Sequence, residues 1–320
     1  MIENSNGAIK GHVRWSGFDR LAHGLHLSEI KNEAATARTL RQLDAWTMLL
    51  PPGAGYTHIT AAWLRGWWMP QLPEHVPLFA AGPGAEHPRR AGLVYSRLEG
   101  LATPTLVRGQ PIVSPEESLL RAARDLSLFD LTIMTVSARR SGELDAEALA
   151  SLCASHRPGV RALRAALSWA DPRYESPFEV LLGMFHLLAG VPVEPQHGIF
   201  DAAGRFVARG DLWVVGTTSI HEYDGAVHGE ERQRGLDLRR HRRLLDTPYV
   251  RRGYNADDLF NHPLAMLQEV DATIGRTHDP RRLGPWRRHV AESTYSAAGR
   301  RRLQNRWLRL SEHLDWTQTA

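Results

Sequence analysis

Residues 219–228 read SIHEYDGAVH, a strand-like run that ends in two carboxylates, Glu222 and Asp224, with Gly225 behind them and His228 close by. Side chains of a strand alternate between its faces, so Glu222 and Asp224 point the same way. A strand that only packs has no use for two like charges on one face. Asp211 lies in the preceding strand-like run, RFVARGDLWVV. Antiparallel pairing of the two runs brings Asp211 and Glu222 to the same edge of a sheet. Glu179, early in the helical stretch SPFEVLLGMFHLLAG, offers a third carboxylate. Convergent carboxylates repel and raise one another's pKa unless a cation sits among them. A hard divalent cation such as Mg²⁺ (or Mn²⁺) takes oxygen ligands, holds one or two carboxylates and accepts substrate phosphate for the rest. The chemistry indicated is metal-assisted attack on a phosphoryl group, with the ion stabilising charge and lowering the pKa of a bound water.

Each of these residues also has a plainer role. Ser176-x-x-Glu179 is a capping box, which leaves Glu179 open between helix cap and metal ligand. Asp211 sits inside an apolar run, between Gly210 and Leu212-Trp213, which argues against a turn aspartate. Asp224-Gly225 is a common hairpin-turn pair, so Asp224 stands between turn former and site residue. His228 alone reads as a surface histidine, or as a base or ligand near neutral pH. Asp237 and Arg240, three apart on an expected helix, pair at a surface for little energy. Arg239 and Arg243, in RRHRR, belong either to a solvated helix face or to a phosphate contact.

The elements that must position these residues follow one order, α-β-β-β-α-β. SPFEVLLGMFHLLAG is a helix closed by Gly190. VEPQHGIF, RFVARGDLWVV and TTSIHEYDG are three strands, ERQRGLDLRRHRRLL is a helix and TPYVRRGY a further strand. ADPRYESP at 170–177 marks a domain boundary. Before it, residues 1–36 read as a loose arm without clear periodicity. A helix is expected from Ala37 to Met48 and another over HITAAWLRGWWMP, ended near Gly66 and Pro70. Pro and Gly punctuate short apolar pieces between 73 and 113, which predicts a small β-sheet. Ser114-Pro115-Glu116-Glu117 then opens a helix, and helices continue to about residue 170. After residue 262 comes a basic helical tail, 263–320. The expected fold class is α/β of the α+β kind: a C-terminal αβββαβ core over 171–262, preceded by a mixed, mainly helical domain over 37–170.

Composition narrows the function classes. The chain has 320 residues, 42% apolar, a formal charge of +4 and a single cysteine, Cys153, which excludes an internal disulfide and a cysteine-based metal cage. A reducing cytoplasm is the expected setting, and the most apolar run, VLLGMFHLLAGV, is too short to span a bilayer. Lys10 and Lys31 are the only lysines; the other 37 basic residues are arginines. Residues 276–310 hold ten arginines against Asp279 and Glu292, a local charge of +8 suited to phosphate neutralisation. No G-x-S-x-G, Walker or Rossmann glycine pattern is present.

SPFE, ARGDLWV, EYDGAVH and the D-x-x-R of Asp237 and Arg240 resemble the very-short-patch-repair-endonuclease-like domain of the PD-(D/E)XK nuclease superfamily, whose core has the same αβββαβ order. The whole chain is similar to a group of actinobacterial two-part proteins in which a region like an AbiEi-type antitoxin precedes such a domain. YTHITAAWLRGWWMP, GQPIVSPEESLLRAARDL and the ADPRYESP junction carry that second likeness, and together they cover roughly residues 38–260. The resemblance implies that Glu179, Asp211 and Glu222 are metal-binding acids and that Asp237 and Arg240 support them or contact phosphate. Arg209 and Arg240 suit holding phosphate, since a permanently protonated guanidinium cannot serve as a base. Asp224 falls where the superfamily often has the lysine that orients or activates water, and no lysine follows Lys31 to replace it. His228 is the candidate substitute. The implied function is a metal-dependent DNA endonuclease, in repair or defence against phage and plasmids. The alternative is a DNA-binding regulator or antitoxin-like protein with a degenerate nuclease fold. DNA is the expected partner, with a homodimer or a partner protein left open.

Overall fold

The computed structural model describes residues 2–4, 6–11, 16–84, 90–98, 100, 102–225 and 247–311. The chain builds two compact units, and neither is one continuous stretch. The first joins residues 1–126, 143–163 and 300–320; the second joins 127–142 and 164–299. The fold is mixed α/β, with helices and three sheets among the described residues.

The first unit opens with four short strands, β1 (Ile2–Glu3), β2 (Ala8–Lys10), β3 (Phe18–Ala22) and β4 (Leu25–Ser28), paired antiparallel in the order β1-β2-β4-β3. The expected loose arm is therefore a sheet. Its strands are two to five residues long, too short for alternation to stand out. The alternation is still there, because Leu25 and Leu27 are buried on one face while the residues between and after them are not. Helix α1 (Ala35–Thr47) shares a core with this sheet through Leu43 and Trp46.

A second sheet contains β5 (Gly55–Tyr56), β6 (Leu78–Gly82), β7 (Leu93–Arg97), β8 (Thr105–Val107) and β9 (Gln110–Ile112), in the order β7-β6-β5-β9-β8. Helix α2 (His58–Arg65) ends at the left-handed Gly66, where the breaker was expected. Helix α3 (Pro115–Ala122) starts as its sequence predicts: Ser114 Oγ accepts from the Glu117 N–H and proline holds the first turn. After α3 the chain forms α4 (Leu128–Arg140), α5 (Ala146–Ala154) and α6 (Val160–Trp169).

In the second unit α4 is buried along ten of its thirteen residues, so it serves as a central strut. Its first turn holds Asp130, which is buried and accepts from Ser127 Oγ and from both the N–H and Oγ of Thr294. Helix α7 (Pro177–Leu188) follows, then β10 (Val193–Phe200), β11 (Phe206–Val214), β12 (Ser219–Tyr223) and β13 (Val250–Tyr254). These strands form one sheet in that order, antiparallel except that β12 and β13 run parallel. Helices α8 (Ala256–Phe260), α9 (Pro263–Thr273) and α10 (Gly284–Glu292) close the unit, with Trp286 packed against Phe129 and Phe185.

The final helix, α11 (Ala297–Ser311), sends Trp307 into the core of the first unit. Residues 263–311 are thus helical as expected but not a separate tail, because Trp286 and Trp307 anchor them in the two cores. The boundary expected at 170–177 falls inside the second unit, whose members also include α4. No helix among the described residues is long and apolar enough to cross a membrane.

Candidate active site

In the β11–β12 ladder Leu212 faces His221 and Trp213 faces Ile220. One further step along that antiparallel register sets Asp211 opposite Glu222, the pairing that the sequence pattern requires. Cross-strand neighbours of this kind have their Cα atoms about 4.5–5.5 Å apart. The Asp211 carboxylate accepts the Tyr223 N–H at 3.0 Å, so a side chain takes over where the main-chain ladder stops. Glu222 is buried, Asp211 half-buried and Asp224 exposed.

Glu222 and Asp224 do share one side of their strand, and what joins them is Arg251. Its Nε donates to Glu222 Oε2, and a terminal nitrogen donates to Asp224 Oδ1 at 2.5 Å. Arg251 arrives from β13, where it lies beside Ile220 and two residues before Gly253, the partner of Glu222. Burial alone would lower the Arg251 pKa. Glu222, then Asp224 and Asp211, outweigh it and raise the guanidinium above its ordinary value. Arg251 thus pairs with Glu222 and Asp224 at once and lies close enough to Asp211 to be influenced by its charge.

Gly253 makes room for Asp224: a Cβ there would lie 1.7 Å from Asp224 Oδ2. Asp224 is exposed and its carboxylate can swing away, which keeps the stability cost low. Gly253→Ala is therefore expected to cost less than about 1 kcal/mol while removing the Asp224–Arg251 contact. A double-mutant cycle between Asp224→Asn and Arg251→Met, run in both backgrounds, checks this; undiminished coupling in the alanine background would refute it.

Glu179 is buried at the start of α7. Its N–H donates to Ser176 Oγ, and its Oε2 accepts the Glu175 N–H at 2.8 Å and Gln196 Nε2 at 2.8 Å. The side chain thus reaches one residue beyond the cap, a variation on the capping box foreseen in the sequence. Gln196 was not foreseen. Pro195 faces Leu212 and His197 faces Gly210, so Gln196 stands opposite Asp211. Its φ of 56° lies in the left-handed region, a costly conformation for a residue with a side chain. That turn in β10 lets the Gln196 amide hold Glu179 from the strand next to the one that carries Asp211.

On the other face of β12, His221 is fully buried and donates from Nδ1 to His186 Nε2 at 2.8 Å; His186 Nδ1 in turn donates to the Leu182 carbonyl at 2.7 Å. Alternation then directs Glu222 away from α7 and towards Arg251. Burial, followed by the nearby His186 and Arg252, pushes the His221 pKa down to about 2. Burial lowers His186 to about 4 against the opposing pull of the Leu182 carbonyl.

Arg209, expected at phosphate, donates to Glu175 Oε1 at 2.7 Å on the surface. His228, Asp237, Arg239, Arg240 and Arg243 lie outside the described residues. Several arginines of the 276–310 stretch are held by acids: Arg276 and Arg282 by the buried Asp271, Arg281 by Asp279, and Arg306 by Asp125. The local charge counted along the sequence is therefore partly neutralised in the fold, since Asp125 and Asp271 come from outside that stretch.

Among the described residues, no three or more His, Cys, Asp or Glu side chains are gathered so as to hold a metal. Glu179 does not join Asp211 and Glu222 in one such cluster. The Asp211–Glu222 pair by itself matches the one or two carboxylates with which a protein holds Mg²⁺ when substrate supplies further oxygens. No family model, curated protein or solved structure matches this chain.

Proposed function

We propose that the second unit is a metal-dependent nuclease domain acting on DNA, of the very-short-patch-repair-endonuclease-like kind within the PD-(D/E)XK superfamily. The observation that carries this reading is the opposition of Asp211 and Glu222 on adjacent antiparallel strands. The order α7-β10-β11-β12-β13 fits that superfamily's core order apart from its second helix, whose expected sequence lies outside the described residues.

Asp211 and Glu222 are the pair that would hold Mg²⁺ or Mn²⁺, with Glu179 positioned towards Asp211's strand by Gln196. When bound, the ion supplies charge stabilisation for phosphoryl transfer and a water of lowered pKa. The Tyr223 N–H fixes the Asp211 carboxylate. Arg251 brings from β13 the positive charge that the expected lysine would have supplied from position 224. Being permanently protonated, it can hold a phosphate oxygen but cannot take a proton from water. Its contact to the exposed Asp224 is the one a phosphate can replace without uncovering a buried charge.

A second reading has its own support. Arg251 already pairs with Glu222 and Asp224 without any ion, as expected of a DNA-binding regulator or antitoxin-like protein whose nuclease fold no longer cuts. Incubation of the purified chain with supercoiled and linear DNA plus Mg²⁺ or Mn²⁺ separates the two. The nuclease reading expects cutting that falls by about 10²–10³-fold in Asp211→Asn and Glu222→Gln, the scale of losing one main electrostatic stabiliser. DNA binding without cutting in any metal supports the regulator, and equal cutting by the variants assigns the activity to another site.

A further inference from the structure

The first unit carries an open surface hollow, outside everything assigned above, whose chemistry points to an anion. Its volume is about 650 Å³, and of its seven lining residues three are arginines, Arg124, Arg161 and Arg306, while none is acidic. The choice of arginine carries no information in a chain with 37 arginines and two lysines. What is informative is the placement of three cations around one hollow.

Arg306 is fixed by its surroundings. Its Nε donates to Asp125 Oδ1 at 2.6 Å and a terminal nitrogen donates to the Arg124 carbonyl at 3.2 Å. The one acid at the edge of the cluster, Asp125, is already engaged: its other oxygen meets His58 Nε2 and Trp307 Nε1, each at 3.2 Å. Burial raises the pKa of Asp125, but His58 and Arg306 outweigh it and bring it down to about 2, so this carboxylate stays charged and committed inward. Arg124 and Arg161 are exposed, and among the described residues neither side chain has an acidic partner.

Gly159 shapes the opening. Its φ is +98°, and a Cβ there would lie 2.7 Å from the Leu120 carbonyl oxygen and 3.0 Å from Arg124 Cγ. Only glycine lets the loop before α6 lie against the Arg124 stem, which brings Arg161 to the same hollow as Arg124. The arrangement sets two exposed guanidinium groups, Arg124 and Arg161, beside the acid-held Arg306, and phosphate oxygens are the ligands that planar guanidinium groups match best.

We propose that this cavity binds phosphate groups, supplied by the backbone of duplex DNA. The site lies in the first unit and uses none of the residues of the candidate nuclease centre, so it stands whether or not that centre cuts.

The test is DNA binding by the full chain in EDTA, which removes cleavage from the measurement. Fluorescence anisotropy with a short labelled duplex over a range of KCl concentrations gives the slope of log affinity against log salt. The Arg124→Ala/Arg161→Ala double variant is expected to bind about 10-fold more weakly at low salt and to lose about 2 from the slope, since each lost phosphate contact removes about 0.9. Arg124→Lys/Arg161→Lys keeps the charges and should keep the slope. An alanine variant that retains its melting temperature and also the wild-type slope overturns the proposal. Inorganic pyrophosphate, titrated in parallel, distinguishes the sources. Pyrophosphate binding that disappears in the alanine variant while DNA binding is unchanged would assign the pocket to a free anion and overturn its assignment to DNA.

Discussion

Arg251→Met is expected to cost the second unit about 2–3 kcal/mol at neutral pH and to make its stability respond to Mg²⁺. Breaking a buried ion pair by removing one partner typically costs about 3–5 kcal/mol. Here the Glu222 side chain is 4% exposed and that of Arg251 36%, so solvent already screens the cation and the lower figure applies. The loss comes from removing the Arg251 guanidinium from the buried Glu222 carboxylate, which faces Asp211. Two consequences distinguish this cause from simple loss of packing. Removing the guanidinium takes away a charge that favours the ionised over the protonated carboxyl, so the variant's deficit should shrink as pH falls. A divalent cation should bind at Asp211 and Glu222 more readily once the guanidinium is gone, and at ten times its Kd it would return about 1.4 kcal/mol. Urea denaturation of wild type and variant, with EDTA or with excess MgCl₂, reads both. If the variant is destabilised yet gains no more from Mg²⁺ than the wild type, Asp211 and Glu222 do not form a cation site. A Glu222→Gln/Arg251→Met double variant should lie closer to wild type than Arg251→Met does, because no buried charge is left.

The largest effect is expected in acid, from the histidine pair behind the same strand. His186 and His221 hold no proton beyond their neutral form in the folded chain down to about pH 4 and about pH 2. In the unfolded chain both titrate near 6.5. Between those limits the unfolded state binds more protons, so stability is fully present above about pH 6.5 and falls as pH drops. At pH 5 the deficit is about 1.5 pH units for each histidine, or about 4 kcal/mol for the two. His221 Nε2 has no hydrogen-bond partner among the described residues, so protonating it would bury a charged donor with nothing to receive it. Urea denaturation at intervals from pH 7.5 to pH 5 should show the wild type losing this amount beyond a His186→Leu/His221→Leu variant. In that variant both ends of the bond become apolar together, which is close to neutral at pH 7.5. Parallel pH curves for the two proteins would show that the histidines do not titrate as their burial requires.

How much of the site could be read in the sequence follows from the range of the contacts. The Asp211–Glu222 opposition was legible because it needs only period-2 alternation and one hairpin-like return, both local. The helix starts at Ser114 and Ser176 were legible for the same reason, each cap lying three residues from its partner. Arg251 was not. It reaches Glu222 through a parallel pairing, 29 residues along the chain, and nothing in VRRGY marks which arginine faces the acids. Gln196 was hidden differently. A polar residue in a strand looks like solvent-facing alternation, and a left-handed backbone at a non-glycine residue leaves no compositional trace. The only hint was Pro195 before it, a residue that interrupts ladders. The N-terminal sheet escaped because its strands are shorter than the window over which periodicity can be counted.

The way the two units share the chain has a consequence for how the molecule is made. A ribosome delivers residues 127–299 before it delivers 300–311, so the sheet that carries Asp211 and Glu222 can close while the first unit still lacks a helix. Until then Asp125 has neither Arg306 nor the Trp307 indole, and Phe79 and His58 lack the ring that later packs against them at 5.5 and 6.0 Å. The half of the protein that is synthesised first is therefore the half that finishes folding last. A chain halted or cleaved before Arg300 would carry a complete acid site beside an unfinished arginine pocket.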